Sequence, residues 1–211
     1  MISIIDYHAG NLTSVARALQ YLGEPCEITG DPRKLQKAER IIFPGVGAAG
    51  EAMENLRAAG LDACIRGAFQ AGKPILGICL GTQVIFDYSE ENEAACLGVV
   101  PGQVRRFPRD LKENGRPLKI PHMGWNRVDF VGDHPVFKGI PQGAEFYFVH
   151  SYYPFPDDER RVAGWSEYGI RFCAVVADRN MVAVQFHAEK SGRFGLQILK
   201  NFCKWEGRDA Q

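Results

Sequence analysis

The residues of this chain that could do chemistry gather around one thiol. In KPILGICLGTQVIF, residues 73–86, Cys79 stands between two apolar runs with Gly77 and Gly81 on either side. A strand that ends, a nucleophile-type residue and a helix that begins make a nucleophile elbow, the cysteine counterpart of G-x-S-x-G. Such a turn imposes unusual backbone angles on Cys79, and the two glycines remove side chains where the chain doubles back. A helix starting behind the sulfur favours thiolate over thiol, and the turn aims the Leu80 N–H at whatever the sulfur attacks. The same stretch is equally that of a buried cysteine in a strand-to-helix turn, and residue types alone do not separate the two.

A thiol nucleophile needs a base, and the base an orienting acid. In VAVQFHAEKSG, His187 stands just past an apolar strand with Glu189 two residues on, where a loop can turn both toward one point. A surface ion pair has the same pattern. His8, His122, His134 and His150 have no comparable acid nearby and read as packing or surface histidines. Attack on a carbonyl also needs donors for the oxyanion. FPGVGAAGE offers them: a strand ends at Phe43, and Gly45 and Gly47 let backbone N–H groups turn outward. Loops of this kind also bind phosphate or simply connect elements; this one lacks the lysine of a P-loop and is not GxGxxG.

The elements that must position these groups alternate through the first half. ISIID reads as a strand, NLTSVARALQYLG as a helix with Asn11 at its N-cap and Gly23 as its stop, and PCEIT as a strand. DPRKLQKA is a short helix opened by Asp-Pro. RIIF runs into the glycine-rich loop, one helix follows over about 51–70, KPILGIC is a strand and GTQVIFDYSEE a helix. This alternation predicts an α/β fold of flavodoxin-like, three-layer type, with helices on both faces of a parallel core. The second half instead holds strands in GVVPGQVRRF, KIPHMGWNRVDFV, AEFYFVHSYY, FCAVVAD and MVAVQFH, with a helix in GRFGLQILKNFCKW. Antiparallel strands are therefore expected to extend the parallel core into a mixed sheet, within one domain spanning 1–211.

Composition narrows the function classes. Of the 211 residues 45% are hydrophobic and 24% charged, ordinary for a chain that buries a real core. Lys plus Arg equals Asp plus Glu at 25 each, so no electrostatic footprint for nucleic acid or an anionic membrane is present. No run reaches the roughly 18 apolar residues of a membrane span, and no signal peptide is visible. Cys26, Cys64, Cys79, Cys96, Cys173 and Cys203 form no CxxC pair, which argues against a disulfide framework or zinc site and for a reducing cytoplasm. No cofactor and no metal are called for.

Taken together, PGVGA, GICLGTQ and QFHAEKSG resemble the class I (triad) glutamine amidotransferases. PHMGWN at 121–126, YFVHSYY at 147–153 and the opening IDYHAGNLTS narrow the likeness to the glutaminase subunits of imidazole glycerol phosphate synthases, over residues 4 to about 192. The resemblance implies a Cys79–His187–Glu189 triad and an oxyanion site around Val46, Gly47 and Leu80. It implies a glutamine pocket involving Gln83, Glu91 and the backbone at Ser151 and Tyr152. Asn11, Trp125, Tyr147 and Lys190 match positions that in this family face a separate (β/α)₈ cyclase subunit, with which a heterodimer is expected. The implied reaction is hydrolysis of glutamine through a glutamyl thioester, the ammonia passing to the cyclase in histidine biosynthesis. Glutaminase activity is expected to be gated by partner and acceptor, with the Pro44–Gly47 loop as the gate.

Three positions depart from the family pattern. Thr82 replaces a larger apolar residue, Ala188 a proline that would stiffen the link between His187 and Glu189, and His8 a glycine. No chemical group is lost, so activity is expected to survive. Rival readings are an amidotransferase subunit serving pyridoxal phosphate or anthranilate synthesis, a thiol peptidase or hydrolase, and a non-catalytic binding module. PHMGWN with DYHAGNLTS argues against the first, the Gln83 and Glu91 pocket against the second, and the complete triad against the third.

Overall fold

The computed structural model describes residues 1–8, 10–113 and 115–208. The first half alternates as its hydrophobic periodicity requires: β1 (Ile2–Ile5), α1 (Leu12–Tyr21), β2 (Cys26–Thr29), α2 (Pro32–Lys37), β3 (Arg40–Phe43), α3 (Ala49–Ala58), α4 (Leu61–Gln70), β4 (Ile75–Ile78) and α5 (Leu80–Gln83). Then come the short β5 (Tyr88–Ser89) and β6 (Ala94–Ala95), β7 (Gly102–Arg106), and a small hairpin of β8 (Lys112–Glu113) and β9 (Arg116–Pro117). The remaining elements are β10 (His122–Phe130), β11 (Ala144–His150), β12 (Tyr152–Pro156), β13 (Val162–Glu167), β14 (Arg171–Asp178), β15 (Met181–Val184) and α6 (Gly192–Lys204).

Nine strands form one sheet in the order β11-β10-β13-β14-β15-β4-β3-β1-β2. Strands β2, β1, β3, β4 and β15 run parallel, and from β15 outward through β14, β13, β10 and β11 every pairing is antiparallel. This is the mixed α/β sheet that the alternation predicts. Its period-two pattern sorts the core onto two faces. Along β3, Ile42 packs with Val15 and Leu19 of α1 and Ile198 and Phe202 of α6, whereas Ile41 and Phe43 pack with Leu35 of α2, Met53 of α3 and Ile65 of α4. A four-stranded sheet, β12-β7-β5-β6, lies beside the main one.

Four expectations about elements need correction. The helix expected over 51–70 is two helices, broken at Gly60, whose φ of +66° ends α3 and starts α4. The helix expected in GTQVIFDYSEE lasts one turn, because Phe86, Asp87 and Gln83 tie into the strands that follow instead. AEFYFVHSYY is two strands: Ser151 leaves the main sheet and β12 pairs with β7. Strand β13, Val162–Glu167, has no counterpart in the sequence reading; its VAGWSE carries a glycine that a strand pattern does not favour. Gly164 is needed there because a Cβ would lie 2.9 Å from the Val175 side chain, at a register shift between β13 and β14.

Candidate active site

Three neighbouring parallel strands, β3, β4 and β15, end at the same edge of the sheet, with Ile78 in register with Val184. Their C-terminal ends deliver the Pro44–Gly47 loop, Cys79 and His187 in turn, the place where open α/β sheets hold their ligands. The topology thus unites residues that are 36 and 108 positions apart in the chain, from Phe43 to Cys79 and from Cys79 to His187.

Cys79 has φ 54° and ψ −108°, outside the regions a side chain tolerates comfortably, as the elbow requires. The strain, on the order of 1–3 kcal/mol, has to be held by neighbours. The Cys79 N–H donates to Val184 O at 2.9 Å, and its carbonyl accepts from Thr82 N–H at 3.0 Å and Gln83 N–H at 3.3 Å. Both flanking glycines are obligatory. A Cβ on Gly81 would lie 1.8 Å from the Phe43 carbonyl oxygen, and one on Gly77 2.9 Å from Ala183 Cβ. Thr82 is explained here as well: its buried hydroxyl donates to Val184 O at 2.6 Å, pinning the turn to the end of β15. The expected helix dipole behind the sulfur is a correction, since α5 is a single turn of four residues.

His187 caps the 3₁₀ turn Ala188–Lys190, which carries Glu189, and both side chains are fully buried. The His187 ring Nδ1 lies 2.8 Å from Glu189 Oε1, which sets the proton on Nδ1 and leaves Nε2 as the acceptor nitrogen of a neutral ring. Nε2 has no hydrogen-bond partner among the described residues. Burial alone would lower the imidazole's pKa; Cys79 and Glu189 together outweigh it and raise it to about 9. Glu189 likewise is pushed up by burial but held below its ordinary value by His187 and by the Asn11 side chain. The pair is anchored by Ser191, whose hydroxyl donates to the His187 carbonyl at 2.6 Å and accepts from Tyr147 N–H at 2.9 Å. With Glu189 held from two sides, Ala188 does not loosen it.

Asn11 stands at the N-cap position the sequence expects, but in a left-handed conformation with φ 81°, and its side chain does not cap the helix. Its amide instead donates to Glu189 Oε1 and lies 3.4 Å from His187 Nδ1. An Asn tolerates that conformation better than most residues, so the backbone turns the side chain away from the cap and onto the His187–Glu189 pair. His8, three residues past the end of β1 at Ile5, also has positive φ, 66°, which is where a glycine would be at ease; its N–H is tied to Asp6 Oδ1 at 2.9 Å.

The loop after β3 is folded on itself. The Tyr7 hydroxyl donates to Pro44 O at 2.9 Å, and Leu80 N–H donates to Gly45 O at 3.3 Å. The expectation that Leu80 N–H faces an incoming electrophile is therefore corrected: a loop carbonyl occupies it. Gly45 is required because a Cβ would sit 1.9 Å from Tyr7 Oη, while Gly47, at φ +109°, has open space around it.

Val46, Gly47, Cys79, Leu80, Gln83, Glu91, Ser151, Tyr152 and His187 line one cleft of about 390 Å³, together with Pro121, Val149 and His150. Gln83 Nε2 donates to Tyr152 O and to Gln185 Oε1, each at 3.0 Å. Glu91 accepts from Ala49 N–H at the start of α3, at 2.8 Å, and burial raises its pKa. On β10, Met123 and Trp125 are exposed, 62% and 56%, and Trp125 meets Tyr147 across the strands edge to face at 6.1 Å. Lys190 is exposed; Asn11 alone among the four expected interface residues is engaged inside. Sequence reasoning missed Gln185, His122 and His150 as parts of the site's hydrogen bonding, although Gln185 lies inside the very QFHAEKSG stretch that singled out His187. Among the described residues no group of three His, Cys, Asp or Glu could hold a metal, and no helix is long and apolar enough to cross a membrane.

A model of the family described as glutamine amidotransferase class-I matches residues 3–205. The chain belongs to that family. Among class-I amidotransferases it is similar to the "Imidazole glycerol phosphate synthase subunit HisH" of Nitratidesulfovibrio vulgaris strain DP4, 52% identical over 214 residues covering all of both chains. The protein of the same name from Pseudomonas syringae pv. syringae B728a is 48% identical over 209 residues, 98% of each chain. A crystal structure titled glutamine amidotransferase superposes with a TM-score of 0.73 at 17% identity, covering 96% of this chain and 97% of that one. PurLQS from Thermotoga maritima does so with the same TM-score at 18% identity, covering 96% and 97%. At those identities the structures establish a shared amidotransferase fold.

Proposed function

We propose that this amidotransferase chain is the glutaminase subunit of an imidazole glycerol phosphate synthase, acting as one domain with a separate cyclase. The observation that carries the reading is the likeness to HisH subunits at about half identity over the whole length of both chains. A cleft that gathers a thiol, a buried imidazole–carboxylate pair and the Pro44–Gly47 loop supports it.

In this reading Cys79 thiolate attacks the side-chain amide carbon of glutamine, and the carbonyl π electrons move onto oxygen. Backbone N–H groups at Val46, Gly47 and Leu80 stabilise that oxyanion, once the Leu80 N–H is freed from Gly45 O. His187 passes its Nε2 proton to the amide nitrogen, the C–N bond breaks and ammonia leaves, with a γ-glutamyl thioester left on Cys79. His187 then takes a proton from water, hydroxide adds to the thioester, and the C–S bond breaks to give glutamate and thiolate. Gln83, Glu91, Ser151 and Tyr152 bind the substrate's amino-acid end.

Ammonia released into water at neutral pH is protonated and loses its nucleophilicity, so it must pass directly to the synthase. Exposed Met123 and Trp125, half-buried Tyr147 and exposed Lys190 form the face on which a (β/α)₈ cyclase docks. The loop carbonyl on Leu80 N–H is the closed state of the gate, opened by partner and acceptor. The chain's six free cysteines support a reducing compartment, the cytoplasm.

Glutamate release decides the matter. Low activity in the isolated chain, strong stimulation by cyclase with its ribonucleotide substrate, and a loss of at least about a thousandfold in Cys79→Ala are expected. Full activity in the isolated chain or in Cys79→Ala overturns the gated triad. Trp125→Ala should weaken co-purification with the cyclase; unchanged binding removes Trp125 from the docking face.

A further inference from the structure

Gln185 stands at the end of β15, two residues before His187, and is fully buried. Buried side-chain amides have to find partners for both ends, and here the partners fix which end points where. The Tyr152 carbonyl can only accept, so the Gln83 atom 3.0 Å from it is the amide nitrogen. The same Gln83 nitrogen lies 3.0 Å from Gln185, so the Gln185 atom facing it is Oε1. The other end of Gln185, Nε2, therefore points its N–H at Cys79 Sγ, 3.8 Å away, within reach of the large sulfur atom.

The direction of donation is set further back still. Tyr152 O accepts a second hydrogen bond from His150 Nδ1 at 2.8 Å, which makes His150 Nε2 the acceptor of a proton on His122 Nδ1 at 2.9 Å. His122 Nε2 in turn faces the Asn126 amide nitrogen at 3.3 Å. Burial lowers the two rings to about 3 and about 4, so both are neutral near pH 7 and each has one donor and one acceptor nitrogen. Both hydrogens of the Gln83 amide are thus committed within the protein, and Gln83 offers a ligand only its oxygen.

We propose that Gln185 is a second donor to the nucleophile: its side-chain N–H, held in the donating orientation by Gln83, favours the Cys79 thiolate over the thiol and fixes where the sulfur points. The inference rests on Cys79 being the nucleophile. A hydrogen bond to the charged form lowers a thiol's pKa, and it replaces the helix dipole that the one-turn α5 cannot supply. It assists twice in each cycle, when thiolate attacks the amide and when thiolate leaves the thioester. The other titratable groups acting on the sulfur are His187, with Glu189 behind it, and the Tyr7 phenol, whose own pKa burial and Cys79 push up. The Tyr7 hydroxyl is directed to Pro44 O, so it does not duplicate the Gln185 donor.

The test is the pH profile of iodoacetamide alkylation at Cys79 in the full chain, followed on the Cys79 peptide by mass spectrometry without glutamine or cyclase. Gln185→Met keeps the volume and removes the donor. It should raise the apparent pKa by about one unit, so that alkylation below that pKa slows about tenfold. A profile that coincides with wild type overturns the proposal, including the case in which glutaminase activity falls, since that leaves Gln185 a purely structural role. Should Gln185→Met not fold, the wild-type chain decides. The ¹⁵N-labelled Gln185 side-chain amide should shift with the midpoint of Cys79 ionisation and stop doing so in Cys79→Ser; a resonance indifferent to Cys79 overturns the proposal. Neither readout requires turnover. The nucleophile reading fails separately, when Cys79→Ala retains glutaminase activity in the complex.

Discussion

On one wall of the cleft, Glu189 holds the His187 ring, Asn11 holds Glu189, and Ser191 ties the backbone beneath them to β11. On the opposite wall, the loop after β3 turns its carbonyls onto Tyr7 and Leu80, so the Leu80 N–H is occupied by Gly45 O. The first wall is tied by four side-chain hydrogen bonds around the fully buried His187 and Glu189 side chains; the second is held by two, next to a glycine with open space around it. Preorganised donors account for much of the rate in acyl transfer. Under the proposed function, the difference leaves the thiol and imidazole in place while the Leu80 N–H is withheld from the oxyanion, which is where a gate would act. Each variant below attacks one wall or the other.

The largest effect should come from the first wall. Glu189→Gln removes the charge that holds the His187 tautomer, and glutaminase activity of the complex should fall about a thousandfold or more, as in related triads. It also carries a pH signature. The folded His187 pKa is raised from 6.5 to about 9, so its contribution to stability is full below about 6.5 and is lost as pH rises to about 9. In Glu189→Gln that pKa falls, and the decline in urea midpoint between those two pH values should shrink. An undiminished decline would assign it to another group.

Gly81→Ala strikes where the two walls meet, since its Cβ would collide with the Phe43 carbonyl that leads into the loop. Overpacking against backbone should cost about 3 kcal/mol of stability in urea unfolding, and a displaced elbow about a hundredfold in activity. Wild-type stability in this variant would mean that the strand and turn can part, and that the elbow is not held as tightly as its contacts imply.

Asn11→Ala separates two roles that the sequence leaves indistinguishable. As a cap its loss would cost about 1 kcal/mol of stability and spare activity. As the support of Glu189 it should spare stability and reduce activity about tenfold, the size of effect seen when a hydrogen bond behind a functional ligand is removed.

What the sequence discloses and conceals follows the same division. The alternation of β1 to β4, the Cys79 elbow and the His187–Glu189 spacing are legible because each is a local pattern with a local physical cause. The support of Glu189 by Asn11 is hidden, because a left-handed φ at a helix start looks like a cap until the side chain's direction is known. The closed loop is hidden too: PGVG permits N–H groups to turn either way, and only the Tyr7 and Leu80 contacts decide. Strand β13 goes unread because its glycine serves a close approach to Val175 that no residue pattern announces. Thr82, out of place by residue type, is accounted for by a partner 102 positions away.

The smallest effect should come from the loop wall, and its sign is the informative part. Tyr7→Phe deletes only the hydroxyl that holds Pro44 O, leaving the ring packed edge-on to Phe43 at 5.5 Å. If that bond helps to keep Gly45 O on the Leu80 N–H, its loss shifts the loop toward the state in which the N–H is free, because removing a contact made only in the closed state favours the other. Glutaminase activity of the isolated chain should then rise about threefold, corresponding to the roughly 0.5–1.5 kcal/mol net worth of one hydrogen bond, while the rate in the fully stimulated complex changes little. A fall in both rates would show instead that Tyr7 shapes the active loop, and the contrast between a firmly tied wall and a releasable one would have to be given up. The measurement is glutamate release with and without cyclase and its ribonucleotide, since only the ratio of the two rates distinguishes a loosened gate from a damaged site.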